Sequence, residues 1–137
     1  MNARTVLKLV FLGLLLFLSA CNQYTVKKKV NSLETSITNY DVALRWAEYQ
    51  HAYGYHVLRD GTRPPANLDR LRELSVTGIK VVEKIINEDH SEANVKTEIS
   101  YYMKTEGTIR KIKLDQIWWF NEESQQWLID GPFPEFK

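Results

Sequence analysis

Three patterns of hydrophobic and polar positions follow one another along this chain, and each predicts a different kind of structure. Leu9 to Leu18 is an unbroken apolar run. From about Tyr40 to Arg59 the apolar residues recur at helical spacing, whereas from Val95 to Met103 they alternate strictly with polar ones. The change of period predicts helices first and a β-sheet after them.

The predicted long helix, residues 40–59, has clear end signals. Thr38 and Asn39 offer capping oxygens, and Gly61 follows the last turn. At about 100° per residue, one broad face is predicted to pack on the sheet; it comprises Tyr40, Ala43, Leu44, Ala47, Gln50, His51, Gly54 and Leu58, flanked by Trp46, Tyr53, Tyr55 and Val57. The opposite face, predicted to meet solvent, comprises Arg45, Glu48, Tyr49, Ala52 and His56.

A shorter helix and four strands are predicted downstream. The helix covers Asn67 to Leu74, with Asn67 as its cap. The strands are predicted at residues 79–86, 95–103, 108–120 and 126–130, separated by polar turns. Because short turns join antiparallel neighbours, the sequence predicts an α+β fold, in which a long and a short helix pack on a curved four-stranded antiparallel meander.

The apolar run near the N-terminus has the organisation of an export signal. Arg4 and Lys8 precede or border it, and no acidic residue occurs before Cys21. Its ten residues would rise about 15 Å as a helix, half of the roughly 30 Å hydrocarbon core of a bilayer, which favours a cleaved signal. Leu18-Ser19-Ala20-Cys21 resembles the lipobox of bacterial lipoproteins, whose cysteine is lipidated and becomes the new N-terminus. The alternative is an ordinary secretory signal followed by a free cysteine.

Lipidation at Cys21 would divide the chain into a signal (1–20), a lipidated cysteine with its tether (21–37) and a folded domain (38–137). The next residue, Asn22, is not the aspartate associated with inner-membrane retention of such lipoproteins, so the resemblance implies an outer-membrane anchor facing the periplasm. Lys27, Lys28 and Lys29 either contact an anionic membrane surface or belong to a solvated tether.

Composition narrows the range of functions. The chain has 18 basic and 17 acidic residues, and loss of Arg4 and Lys8 with the signal leaves a formal charge of −1. This balance gives no reason to propose nucleic acid as a partner. Because Cys21 is the only cysteine, its lipidation leaves no thiol for a disulfide, a nucleophile or a sulfur-rich metal site. We expect no cofactor.

The closing hairpin resembles that of NTF2-like domains, a family within the cystatin-like folds. Trp118-Trp119-Phe120, a turn, and Trp127-Leu128-Ile129-Asp130 are similar to the hairpin in which an aromatic strand turns back into a Trp-x-Ile segment. The resemblance implies helices on a curved sheet that encloses a cone-shaped cavity. The family includes isomerases, dehydratases and non-catalytic binding modules, so the fold alone does not select a function.

His51 is the first candidate for acid–base chemistry. It lies on the predicted sheet-facing side of the long helix, with Tyr55 four residues further along, and in an NTF2-like cone its imidazole would reach the cavity. The alternative is a core histidine bonded to a backbone carbonyl or a tyrosine hydroxyl. His56 is predicted to face solvent and His90 to lie in a turn, so the three histidines do not predict a metal site.

Asp115 is the second candidate. It resembles the aspartate base of NTF2-like isomerases, which work with a hydroxyl; here the hydroxyl would come from Tyr53, Tyr55 or Tyr101. By alternation, however, Asp115 shares a strand face with Lys111 and Lys113, which indicates exposed cross-strand charge pairs instead.

Aromatic residues on the predicted strands are candidates for contact with a partner: Tyr102, Trp118, Trp119 and Trp127. Adjacent residues of a strand point to opposite faces, so one of Trp118 and Trp119 should lie outside the core. Such a surface suits a protein or a glycan, unless the C-terminal segment 132–136 folds back over it.

Two functions follow from these expectations. The first is a lipid-anchored, non-catalytic module that binds an envelope protein or glycan, with membrane lipid held through Cys21. The second is a small-ligand-binding or isomerase-like protein with a pocket around His51. A cavity of about 300 Å³ or more, lined by His51, Tyr55 and sheet residues, would favour the second.

Overall fold

The computed structural model describes residues 2–137, except for the side chains of residues 14–21. In chain order its elements are helix α1 (Ala3–Arg45), helix α2 (Tyr49–Gly54), a 3₁₀ helix (Asp69–Glu73), and strands β1 (Leu74–Ile86), β2 (Glu92–Met103), β3 (Arg110–Asn121) and β4 (Gln126–Ile129). Helices followed by an open, curved antiparallel sheet confirm the predicted α+β class.

The chain divides into two compact units, Met1–Asn31 and Ser32–Lys137. In the first unit the described part is helical, and apolar side chains such as Leu7 and Phe11 are exposed. Cys21, the predicted lipidation site, is outside the residues whose side chains are described. Within the described part of the chain, no helix combines the length and the apolar character needed to cross a membrane.

The second unit begins before the predicted domain start at residue 38. Residues 22–36, which were expected to form an irregular tether, belong to α1. Leu33 is fully buried and Ile37 is 6% exposed, and both pack in the core of the second unit. Leu33 and Ile37 are about one helical turn apart, and two apolar positions are too few to reveal a helical period in the sequence.

The four strands pair in chain order, and all neighbours are antiparallel, which confirms the predicted meander. β1 begins earlier than predicted, and register shifts at Val76/Gly78 and Val81/Glu83 interrupt its pairing with β2. The outer side of β4 is covered by the segment that follows α2. There Ile129 N–H donates to the Tyr55 carbonyl over 2.7 Å.

The two faces of the sheet follow the predicted alternation. The inner face is buried in the core, and its residues on β2 and β3 include Val95, Thr97, Ile99, Tyr101, Gln116, Trp118 and Phe120. The outer face carries charged pairs between neighbouring strands. Lys96 Nζ lies 2.6 Å from Glu83, and Lys111 Nζ lies 2.9 Å from Glu98.

The predicted helix 40–59 is broken at Ala47. Ala47 has a φ of 59°, its N–H donates to the Leu44 carbonyl over 3.4 Å, and Glu48 N–H donates to the Ala43 carbonyl over 2.8 Å. These two bonds form a Schellman motif, which ends a helix with one residue in the left-handed region. Glycine usually occupies that position, whereas alanine favours helix continuation. The sequence therefore gave no signal for this break.

The break inverts the predicted faces downstream of it. Before Ala47 the prediction is confirmed, because Tyr40, Ala43 and Leu44 are buried. After it, the residues expected to meet solvent are in the core: Tyr49, Ala52 and His56. His51, which was expected to face the sheet, is exposed. Trp46, the residue just before the break, is an exception to the confirmed part, because it was predicted to flank the sheet-facing side and is 76% exposed.

The C-terminal segment, residues 131–137, packs on the inner side of the sheet. The ring of Phe133 lies 5.1 Å from that of His56, and the ring of Phe136 lies 5.1 Å from that of Tyr101. The hydroxyl of Tyr101 also donates to the carbonyl of Lys137 over 2.9 Å. This segment therefore extends the core, rather than covering the outer aromatic residues as the alternative prediction proposed.

Candidate functional site

A line of hydrogen bonds runs through the core from β3 to the C-terminal segment. Gln116 Nε2 donates to the Tyr40 hydroxyl oxygen over 3.3 Å, and this oxygen lies 3.0 Å from His56 Nε2. His56 Nδ1 lies 2.9 Å from the Gly131 carbonyl oxygen. Because a carbonyl only accepts, Nδ1 carries a proton; in the neutral ring, Nε2 then accepts from Tyr40. We call Gln116, Tyr40, His56 and Gly131 the buried polar line.

The buried polar line is uncharged at neutral pH. Burial lowers the pKa of His56 to about 4, although the hydrogen bond to Gly131 opposes the shift. Burial likewise raises the pKa of the Tyr40 hydroxyl. His56 is 0% exposed and Tyr40 is 2% exposed, so no ligand reaches either ring. This line joins α1, β3 and the C-terminal segment, and its role is structural.

The candidate binding site is a cleft of about 390 Å³ where α1, α2 and β4 meet. We call it the α–β4 cleft; its lining residues are Ser36, Asn39, His51, Gly54, Tyr55, Gln126, Trp127 and Leu128. It has the size and the residues that the sequence-based ligand-pocket hypothesis required, since His51 and Tyr55 line it together with residues of a strand. It differs from the expected cone because it is open to solvent beside β4.

His51 lies at the mouth of the α–β4 cleft rather than in the core. Its ring is parallel to that of Tyr55, with centroids 6.0 Å apart and an interplanar angle of 6°. Nδ1 of His51 is 3.8 Å from a carboxylate oxygen of Glu48, and the two side chains are 58% and 61% exposed. The imidazole is therefore accessible, but its nearest ionisable partner is itself in solvent.

Asp115 does not join His51 and Tyr55. It is exposed on the outer face of the sheet, where it lies opposite Lys96. Lys96 in turn pairs with Glu83, whose hydrogen bond raises the pKa of the lysine. The structure supports the charge-pair interpretation of Asp115 and gives no support to a catalytic one.

The four aromatic residues proposed for partner contact do not form one surface. Trp118 and Trp127 are each 1% exposed, so both belong to the core, which corrects their assignment to a binding surface. Trp119 does lie on the outer face, as one of the two adjacent tryptophans had to, but it is half-buried and its indole N–H donates to the Val57 carbonyl over 2.8 Å. Tyr102 lies ten residues along β2 from Glu92, the partner of Trp119.

Sequence reasoning missed two features of the site region. His56 was assigned to solvent because the helix was extended through Ala47. Ser36 lies in the predicted tether and Gln126 on the predicted last strand, far apart in the chain, and Asn39 is predicted only as a helix cap, so the sequence does not predict that the three line one cleft. The spacing of Ser36 and Asn39, three residues apart on a helix, was the one available signal.

The described part of the chain holds no group of three or more His, Cys, Asp or Glu side chains arranged to bind a metal ion. Comparison of the sequence with protein-family models and with curated proteins, and of the fold with solved structures, finds no match. A function for the second unit is therefore inferred from the residues of the α–β4 cleft alone.

Proposed function

We propose that this chain is a bacterial envelope lipoprotein, anchored by lipid at Cys21, whose second unit is a non-catalytic binding module. One observation carries the anchor: the run Leu9–Leu18 ends in Ser19-Ala20-Cys21, and this cysteine is the only one in the chain. An outer-membrane location facing the periplasm, and an NTF2-like relationship of the second unit, belong to the same proposal.

Acylation is tested by expressing the full chain in a Gram-negative host that is fed an alkyne-labelled fatty acid. The expected result is a labelled protein in the membrane fraction, and no label on the Cys21→Ser variant. A matched control moves the thiol: a variant with both Cys21→Ser and Ser36→Cys keeps one cysteine but should remain unlabelled. A wild-type chain with a free, unlabelled thiol overturns the anchor.

The α–β4 cleft supports the binding function of the second unit. Accessible polar and aromatic side chains converge there, whereas the outer face of the sheet carries charge pairs between neighbouring strands. Two of the four sheet aromatics expected to contact a partner are in the core. The module therefore binds through its helix-to-β4 side.

An isomerase-like activity is the second candidate, and the specific observation in its favour is the position of His51 in a cleft of about 390 Å³. Proton abstraction next to a carbonyl also needs a group that stabilises the oxyanion, and Tyr55 is the one phenol in the lining. The test is deuterium exchange into an enolisable ketone in D₂O, followed by NMR. Exchange that is faster with wild type than with His51→Ala supports catalysis, and equal rates exclude it.

A further inference from the structure

We propose that the α–β4 cleft binds an uncharged saccharide; this inference rests on the proposed binding function of the second unit. Three side chains of the cleft offer hydrogen-bonding groups. Ser36 and Asn39 project from α1, and Gln126 projects from β4. In the part of the chain that the structure describes, none of these three side chains hydrogen-bonds to another protein group, so a hydroxyl, two amide NH₂ groups and two amide oxygens remain for a ligand.

The charge of the cleft lining favours a neutral ligand. Among the described residues that line the cleft, none is an aspartate, glutamate, lysine or arginine. A charged ligand would leave its hydration shell without meeting an opposite charge, which costs free energy. The neutral amides and hydroxyls of this lining instead match a ligand whose polar groups are themselves neutral hydroxyls and amides.

A pair of parallel rings lines the cleft. His51 and Tyr55 lie with their planes 6° apart, and both line the α–β4 cleft. The face of an aromatic ring carries partial negative charge and attracts the weakly positive C–H groups of an apolar surface. A pyranose ring presents such C–H groups on its faces and hydroxyls around its edge. It therefore matches aromatic rings surrounded by neutral hydrogen-bonding side chains.

The experiment uses the full chain in zwitterionic detergent, because detergents with sugar headgroups would compete. Di-N-acetylchitobiose is titrated as the probe, and amide chemical shifts are followed by NMR. We expect shifts at residues 36–39, 51–55 and 126–128. Asn39→Leu should weaken binding about fivefold to tenfold, the effect of one lost hydrogen bond. His51→Ala, which removes one of the two parallel rings, should also weaken binding. His90→Asn is its control and should bind as wild type does, because His90 lies in a turn outside the cleft and asparagine tolerates its φ of 56°.

Two further probes decide between ligand classes. Glucose 6-phosphate tests for an anion site, and maltose tests whether the acetamido group is required. Tighter binding of glucose 6-phosphate than of either neutral sugar overturns the saccharide proposal while leaving a binding module in place. Absence of cleft shifts with both neutral sugars also overturns it. Lipid on Cys21 is measured by mass spectrometry on the same preparation, so failure of the anchor is recognised separately.

Discussion

Two histidines five residues apart lie in regions of opposite character. His56 is 0% exposed, and both ring nitrogens are engaged in the buried polar line. The side chain of His51 is 58% exposed, and its ring lies parallel to Tyr55 at the mouth of the α–β4 cleft. The same side chain type is thus a structural element in one region and an accessible binding group in the other.

The comparison teaches that burial, rather than residue type, decides which histidine is available for chemistry. In the core, desolvation keeps His56 neutral and its hydrogen bonds fix the tautomer. At the surface, His51 is accessible to a ligand, and the carboxylate of Glu48 beside it is itself exposed.

Replacing each histidine by alanine gives the largest contrast. His56→Ala removes a buried ring and leaves the Tyr40 hydroxyl and the Gly131 carbonyl without their partner, so we expect a loss of about 3–5 kcal/mol in the free energy of unfolding. His51→Ala should change it by less than about 0.5 kcal/mol. Urea denaturation followed by tryptophan fluorescence measures both. Equal losses in the two variants would contradict the assignment of core and surface.

Lowering the pH should decrease the free energy of unfolding through His56, by about 3 kcal/mol. Its pKa is about 4 in the folded state and about 6.5 in the unfolded chain. Between these values the unfolded state binds a proton that the folded state does not, so stability falls as pH decreases from 6.5 to 4. Above pH 6.5 the two states bind this proton equally little, and no effect of His56 is expected there.

Asp41 opposes this effect in the wild-type protein. Burial raises the pKa of this carboxyl group to about 6, although Arg45 opposes the shift. In the folded state Asp41 therefore takes up a proton at a higher pH than it does in the unfolded chain. The contribution of Asp41 to stability increases as pH falls from 6 towards 4. We expect the free energy of unfolding to depend only weakly on pH in wild type and to fall more steeply in acid in Asp41→Asn. Unfolding curves at about pH 7.5, 6.5, 5.5 and 4.5 measure it. Asp69→Asn, at an exposed aspartate, should retain the wild-type profile.

Tyr40→Phe isolates the centre of the buried polar line, with an expected loss of about 1–3 kcal/mol. The ring remains, so its edge-on contact with Trp118 at 5.8 Å is preserved, while His56 Nε2 and the Gln116 amide lose their partner. Tyr102→Phe, on the outer strand face, is the matched control and should change stability little. A Tyr40→Phe variant as stable as its control would show that the hydroxyl does not hold the line together.

The sheet was more predictable from the sequence than the helices. On β2, the alternation of apolar and polar residues from Val95 to Met103 matches the inner and outer faces, because a strand repeats every two residues and one register error would expose the whole set. The fold class and strand order followed from this pattern and from the short turns. The candidate residues His51 and Tyr55 were identified, but their position at a surface cleft was not.

The helical region was less predictable because one backbone angle decides it. A helical wheel assumes that every residue adds about 100°, and this assumption fails at Ala47, where φ is 59°. Tyr49, Ala52 and His56, which follow Ala47, were therefore predicted to face solvent although they are buried, and His51 was predicted to face the sheet although it is exposed. Contacts such as Gln116 with Tyr40, which are 76 residues apart in the chain, cannot be read from a local period either.

Ala47→Gly has the smallest expected effect, but the sign of its change in unfolding free energy tests whether the helix breaks at this residue. If Ala47 ends α1 in the left-handed region, Ala47→Gly relieves a conformation that is unfavourable for alanine, and we expect a gain of up to about 1 kcal/mol in unfolding free energy. If instead one helix continued from residue 40 to 59, glycine in its interior would cost about 1 kcal/mol. Ala47→Val is the matched control, because a β-branched residue at positive φ should lower stability. A destabilised Ala47→Gly variant would contradict the break at Ala47. It would instead support a continuous helix, with His51 in the core and His56 in solvent.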